Sequence, residues 1–334
     1  MNPHEIDSET FGRLIEPYRH ELQIHCYRMM GSIEEAEEMV QETFIRAWTR
    51  IHSLKNPDAF RSWLYKIATN ICLDALKIRS RRVIPRTRQD VSYVDAPIPS
   101  EVADPIWLQP YPDELLPRDM DSNLDVVLVR KEQISLAFIA VIHLLPPRQR
   151  AVLLLSDVLE WKAREIASLM ETSVSAVKSA LYRARRTLDE NQAVLTDGQD
   201  NIAVDEELQS RLEEYVEAWQ SANVSDLMRL LTEDATFSMP PTPSWYRGRD
   251  EIRALVSKTI FRGSADARWH LMPTHANNQI AFGLYRIDDK TKAYEFYGIQ
   301  VLSYKQLQIS DILTFRNISL YHYFNLPRSI PIET

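Results

Sequence analysis

Only seven glycines and two cysteines occur among the 334 residues, and no apolar run is long enough to cross a bilayer. The two cysteines, Cys26 and Cys72, each stand alone in a helical pattern. That excludes a multi-bridge disulfide framework and a cysteine-rich zinc site, and both read as small buried hydrophobes. Neither a G-x-G-x-x-G nor a G-x-x-x-x-G-K run is present, which removes the usual nucleotide phosphate loops. The longest apolar stretch, "ISLAFIAVIHLL", is broken by Ser135 and His143, and no charged-then-apolar leader opens the chain. These absences lead to the expectation of a soluble, cytoplasmic protein without a membrane partner. A formal net charge of −8 also argues against nucleic acid as a partner, unless the charge is segregated along the chain.

It is segregated. From Phe60 to Arg88 eight bases face Asp74 alone, a local net of +7, whereas from Asp90 to Asp125 nine acids face Arg118 alone, a net of −8. The acidic stretch carries six prolines and no periodicity, the signature of a semi-stiff linker. Its "WLQPYPDELL" run has too many large apolar groups for a pure spacer, so part of it is expected to dock on another surface.

Before the linker, the pattern is helical. In "GSIEEAEEMVQETFIRAW", Ser32 precedes Glu35 at capping-box spacing, and Ile33, Ala36, Val40, Phe44, Ala47 and Ile51 recur at steps of three or four. The next helix opens at "NPDAF", with Asn56 as cap and Pro57 at the first position, and Phe60, Leu64, Ile67, Ile71, Ala75 and Ile78 are expected on its core side. Another stripe of that helix holds Trp63, Lys66, Asn70, Lys77 and Arg81. An aromatic among bases suits unpaired nucleotides, since every base has a stackable face; a basic surface helix with one snorkelled tryptophan is the plainer reading.

After the linker, "REIASLMETSVSAVKSALYRARRTL" holds two short helical patterns joined at a turn. Val174, Val177, Leu181, Ala184 and Leu188 give the second a buried face, leaving Ser175, Lys178, Ser179, Tyr182, Arg183 and Arg186 outward. Small polar groups early and arginines late fit a helix-turn-helix, in which the first reach base edges and the second meet phosphates. Glu171 occupies the turn where glycine is common, and a solvated amphipathic hairpin remains the alternative. From residue 204 two helices precede strand-like runs ("ATFSMPP", "IAFGLYRID", "AYEFYGIQVLSY", "QISDILTF") and one further helix, "GRDEIRALVSKTI". That order predicts an α+β domain with a run of antiparallel strands.

Three motifs, "GSIEEAEEMVQETFIRAW", "FRSWLYKIATNICLDAL" and "LPPRQRAVLLLSDVLEWKAREIASLMETSVSAVKSALYRARRTL", resemble in order and spacing regions two and four of extracytoplasmic-function sigma factors of the sigma-70 family. The run "FSMPPTPSWYRGRDEIRAL" resembles the SnoaL-like, NTF2-like domain that some members carry after region four; the D-G-G-G-K and N-P-D-K-L runs of one tail-bearing subgroup are absent. The resemblance implies a multidomain fold: two all-α sigma domains, a region 2 helical bundle over 1–84 and a region 4 helix-turn-helix over 126–192, joined by a linker over 85–125. An α+β NTF2-like cone follows over 202–330. It implies promoter recognition and melting with core RNA polymerase and promoter DNA as partners, no catalysis and no cofactor. Glu38, Gln41, Glu42, Phe44 and Trp48 would meet polymerase. Asn56, Phe60, Arg61, Trp63, Lys66, Asn70, Lys77 and Arg81 would meet the −10 element. Arg164, Ser173, Ser175, Lys178, Ser179, Tyr182, Arg183 and Arg186 would meet the −35 element. The acidic linker would run through the basic interior of polymerase. The tail would be regulatory or ligand-sensing, and an anti-sigma factor or a small-molecule ligand is a candidate partner. Its available acid/base groups are His270, His275, Asp234 and Asp311. Two other functions fit the same residues: a stand-alone helix-turn-helix regulator, and a DNA-binding module fused to an NTF2-like enzyme.

Overall fold

The computed structural model of the chain describes residues 7–54, 56–78, 82–88, 90–96, 107–116, 134–191, 206–262 and 268–332. It divides into two compact units, Met1–Val83 with Leu115–Val194, and Ile84–Glu114 with Leu195–Thr334.

The first unit is helical. Helices α1 (Ser8–Ile15), α2 (Arg19–Met30), α3 (Ile33–Arg50) and α4 (Phe60–Ala75) form its first half. Caps set their ends: Ser32 Oγ accepts the Glu35 amide at 3.3 Å to start α3, and Asn56 Oδ1 accepts the Asp58 amide at 3.0 Å. The second of these opens a single 3₁₀ turn, Pro57–Ala59, before α4 begins. Gly31 closes α2 with φ 72°, a left-handed value that costs glycine nothing. Leu22, Ile33, Ala36, Ala47, Leu64 and Ala68 are fully buried between these helices. Glu35 pairs with Arg82 at 2.8 Å, tying the end of the basic stretch back to α3.

The second half holds α5 (Leu136–Ile142), α6 (Pro147–Leu153), α7 (Ala163–Leu169) and α8 (Val174–Glu190). Residues 117–133, which include the expected start of region 4 at 126, lie outside the described residues. Ser135 caps α5, Pro147 stands in the first turn of α6, and Ser173 accepts the Ala176 amide at 3.1 Å to cap α8. The two halves meet at Arg150, which is 1% exposed. Its guanidinium donates to the carbonyls of Ile142, His143 and Leu145 and, across the unit, to that of Met29. His143 Nε2 lies 3.1 Å from the Arg28 carbonyl.

In the second unit, α9 (Glu206–Gln220), α10 (Val224–Leu230) and α11 (Arg249–Leu255) pack on a seven-stranded sheet. Its strands are β1 (Leu231–Ser238), β2 (Trp245–Arg247), β3 (Trp269–Ala276), β4 (Gln279–Asp288), β5 (Ala293–Lys305), β6 (Gln308–Phe315) and β7 (Ser329–Pro331). The order is β2-β1-β6-β5-β4-β3, with β7 on β5. The expected antiparallel run needs one correction: β1 pairs with β6 in parallel, so the sheet is mixed. Strand β3 was not among the expected strands; Pro273 and two histidines hide it, and proline is tolerated there because β3 is an edge. At Gly298 a Cβ would strike the Phe315 carbonyl oxygen, so only glycine lets β5 and β6 approach so closely.

The linker docks on this unit, as "WLQPYPDELL" led us to expect. Trp107, Leu108 and Tyr111 are buried. The Tyr111 amide donates to Asn277 Oδ1 at 2.7 Å, and the Asn277 amide returns a bond to the Tyr111 carbonyl at 2.9 Å. Pro112 bridges to Ala276, and Asp113 Oδ1 accepts the Asn278 amide at 2.9 Å. Further back, the Ser92 amide donates to the Trp245 carbonyl, the Val94 amide to Glu251, and Lys258 pairs with Asp95 at 2.8 Å. Asn277 has φ 57°, a value asparagine tolerates better than most residues.

Asn277→Gly keeps that backbone but removes the acceptor of the Tyr111 amide. It should lower the local opening energy of the docked linker by about 1–3 kcal/mol, read as faster hydrogen exchange at Tyr111. Unchanged exchange there would mean that the docking does not depend on the pair.

Candidate nucleic-acid interface

The outward stripe of α8 is built from its register. The helix buries Val177 and Ala184, which turns Ser175, Lys178, Ser179, Tyr182, Arg183 and Arg186 to solvent. Tyr182 is 71% exposed, a large ring with no core to fill. Arg186 pairs with Glu190 at 2.7 Å along the helix, and the hydrogen bond it donates to that carboxylate raises its pKa further. Arg185, absent from the sequence-derived set, pairs with Asp157 at 2.8 Å. Ser173 is exposed and its hydroxyl serves as the cap, while Arg164 is exposed on α7. Between α7 and α8, Glu171 stands where glycine is common and takes φ 51°, a left-handed value.

On α4, the 3₁₀ turn and the following helix place Arg61, Trp63, Lys66 and Asn70 toward the surface, Trp63 and Lys66 half-buried. Arg61 forks onto Glu21 at 2.7 Å and lies over the Tyr65 ring, and the hydrogen bonds it donates to Glu21 raise its pKa. Lys77 pairs with Asp74 at 2.7 Å, holding that carboxyl below its usual range. Phe60 lies in the core at 5% exposure, its ring 5.5 Å from Tyr18 and 5.9 Å from Trp63. Its place is beneath the surface expected to meet DNA, supporting Trp63. Arg81 lies outside the described residues.

Along α3, Glu38, Gln41 and Trp48 are exposed, Glu42 is half-buried against Arg46, and Phe44 is buried beneath the Arg19 guanidinium. Between Gln41 and Trp48 stands Ile45, 60% exposed, which the sequence reading missed. The signal was available: Ile45 is one residue off the buried Phe44–Ala47 side, so its helical position faces solvent.

In the second unit the interior is filled by aromatics. Tyr215, Trp219, Phe237, Trp269 and Phe282 are buried there, with Trp269 and Phe261 edge-on to Trp219. Tyr215 donates to Gln300 at 2.7 Å, and Gln300 to Thr314 at 3.0 Å. A cleft of about 790 Å³ lies between α9 and β3, lined by Leu212, Glu213, Val216, Leu271, His275 and Phe282 among others. Only His275 of the four acid/base candidates lines it. His270 lies edge-on to Tyr285 and tilted against Tyr294, and burial holds it toward its neutral form. Asp311 accepts from Thr236 on β1, and Asp234 lies 3.9 Å from Arg247. The histidines are on β3 and Asp311 is on β6, three strand positions away, about 14 Å at the usual spacing. The structure therefore does not bring these four groups together.

Comparison with known proteins follows the same division. Residues 14–82 match the family description "Sigma-70 region 2", residues 135–188 match "Sigma-70, region 4", and residues 212–312 match "SnoaL-like domain". The chain is 36% identical over 324 residues to the ECF RNA polymerase sigma factor SigG of Mycobacterium tuberculosis, covering 96% of this chain and 85% of that one. It is 29% identical over 182 residues to the ECF RNA polymerase sigma factor SigW of Bacillus subtilis, covering 54% of this chain and 88% of that one. Among solved structures, the extracytoplasmic-function sigma factor SigJ of Mycobacterium tuberculosis superposes with TM-score 0.59 at 18% identity, over 95% of this chain and 100% of that one. That likeness speaks for the fold.

Lys178→Ala should alter base preference at one or two positions of a duplex site, with about 1–3 kcal/mol of discrimination at stake. Arg186→Ala should instead weaken all sequences nearly equally and lower the salt slope by about one. Selection from a randomised duplex library separates the two. Unchanged preference with Lys178→Ala would put a different face of α8 in the groove.

Proposed function

This chain belongs to the ECF RNA polymerase sigma factors, and from that membership we propose how its surfaces divide the work of initiation. The α3 stripe of Glu38, Gln41, Ile45 and Trp48 binds core RNA polymerase. The α4 stripe of Arg61, Trp63, Lys66 and Asn70 captures the unpaired −10 strand, with Asn56 and Lys77 at its ends. The outward face of α8 reads the −35 element in the major groove, with Arg164 and Ser173 on phosphates nearby. Work of this kind takes place in the cytoplasm, and no helix among the described residues is long and apolar enough to span a membrane.

The observation that carries the reading is the exposed Ile45–Trp48 pair on α3, just past Glu38 and Glu42. A stand-alone duplex-binding regulator has no use for it, and a chain that must grip polymerase does. Melting follows from chemistry at α4: flipping a base costs a few kcal/mol, which indole stacking and a lysine on the phosphate offset.

The tail acts on the linker and is not itself a catalyst. Its net charge of −5 from Asn191 to Thr334 disfavours a direct grip on DNA. Its hold on Trp107 to Asp113 gives it a lever on the segment that is expected to thread polymerase. The separation of His275 from Asp311 speaks against an acid/base pair in the tail.

Two experiments test this. Trp63→Ala with Lys66→Ala should leave closed-complex binding largely intact and reduce strand opening, read by permanganate reactivity of the −10 region; normal reactivity would move the melting surface elsewhere. Deletion of residues 200–334 uncovers the linker's aromatic groups. It should change transcript yield in run-off assays with core polymerase on genomic fragments, and identical affinity and yield would end the regulatory reading of the tail.

A further inference from the structure

The interior of the second unit is full of aromatic rings, yet a cavity opens beside it. On α9, Leu208, Tyr215, Ala218 and Trp219 face the core. A second stripe of the same helix, from Gln209 through Leu212, Glu213, Val216 and Glu217 to Gln220, recurs at steps of three or four and lines the cleft of about 790 Å³. Leu212 and Val216 on that stripe are only half-buried. Opposite them, Trp269, Leu271 and Phe282 are buried, Ile280 is half-buried and Pro273 is exposed. The register pairs Pro273 with Phe282 and His275 with Ile280, which puts these side chains on one face of the sheet. The cleft therefore has an apolar floor continuous with the core and an open side.

Its charge is of one sign. Glu213 and Glu217, both exposed, stand one helical turn apart on its wall, and no lysine or arginine lines it. Two arginines on the same elements lie outside it: Arg211 pairs with Glu214 at 3.4 Å, and Arg286 sits over the Trp269 ring at 5.7 Å. Glu213 accepts from Gln209 at 3.4 Å. The Glu217 carboxylate makes no hydrogen bond or ion pair with the described residues.

A volume of this size suits one drug-sized molecule. An anion there would meet two carboxylates. A neutral apolar molecule would strip water from those carboxylates and give them no partner in return. A cation on an apolar body answers both demands, since its head replaces the lost water and its body covers the floor. We propose that this cleft is a binding site for a small organic cation, an amine or quaternary ammonium carried on an apolar ring or chain. The head lies between Glu213 and Glu217, and the body rests on Leu271 and Phe282. The site is separate from the seat of the linker, which begins at Ala276, and the inference does not rest on the division of work proposed above.

The test uses the full chain and three probes that share one ring system: naphthylmethylammonium, naphthylmethanol and naphthoate, which are cationic, neutral and anionic near neutral pH. Isothermal titration calorimetry should rank them in that order, with the ammonium bound about fivefold tighter than the alcohol, the span that exposed ion pairs command. Glu213→Gln with Glu217→Gln keeps the size of both side chains and removes their charge. It should weaken the ammonium by about the same factor and leave the alcohol unchanged. Leu212→Trp fills the cleft and should weaken all three probes, after a thermal melt has confirmed that it folds. Location is also read without a variant: the ammonium should shift the methyl resonances of Val216, Leu271 and Ile280. Failure of the ammonium to bind, equal affinity for the three probes, a charge preference that survives the double substitution, or methyl shifts confined to other residues overturns the proposal.

Discussion

A cation without water organises the first unit. Helices leave their last carbonyls without intrahelical partners, and a buried helix end must find donors for them. Arg150 supplies donors to two such ends at once: Met29 in the last turn of α2, and Ile142, His143 and Leu145 at the close of α5. The negative ends of both helix dipoles converge on one guanidinium. The same cation, together with burial, keeps His143 well below its usual pKa and therefore neutral. This junction ties the two sequence-distant halves of the unit together, because one guanidinium bonds to carbonyls of both.

The second unit solves a different problem. Its interior is filled by Trp219, Trp269, Tyr215 and Phe282; Tyr215 bonds to Gln300 and Gln300 to Thr314, while the Trp219 indole nitrogen is buried without a hydrogen-bond partner. The sheet edges are where this unit takes up other segments of the chain. One edge, at Ala276 to Asn278, is taken by the linker through main-chain bonds. Main-chain recognition tolerates many side chains, so burial of Trp107, Leu108 and Tyr111 supplies the selectivity for this segment.

What could be read from the sequence was mostly what is local. Ser32 and Asn56 announce caps because a cap involves residues two or three apart. The outward face of α8 follows from helical period alone. Phe60 was ambiguous because its helical position borders both faces; packing on Tyr18 assigned it to the core. What could not be read is non-local. The parallel pairing of β1 with β6 joins residues such as Thr236 and Asp311, 75 apart, and no pattern within either strand announces it. Arg150 reads as one more base in "PPRQRAV", since its burial depends on carbonyls contributed from α2.

The linker's partner lies far downstream: the Tyr111 amide bonds to a residue 166 positions later. On a ribosome moving at about 5–20 residues per second, that distance is a delay of roughly 10–30 s. Both sigma regions leave the exit tunnel before the tail that holds their linker has been made. Each new chain therefore passes through an interval in which its linker has no Asn277 to bond to. The action proposed for the tail on the linker begins only when that interval ends.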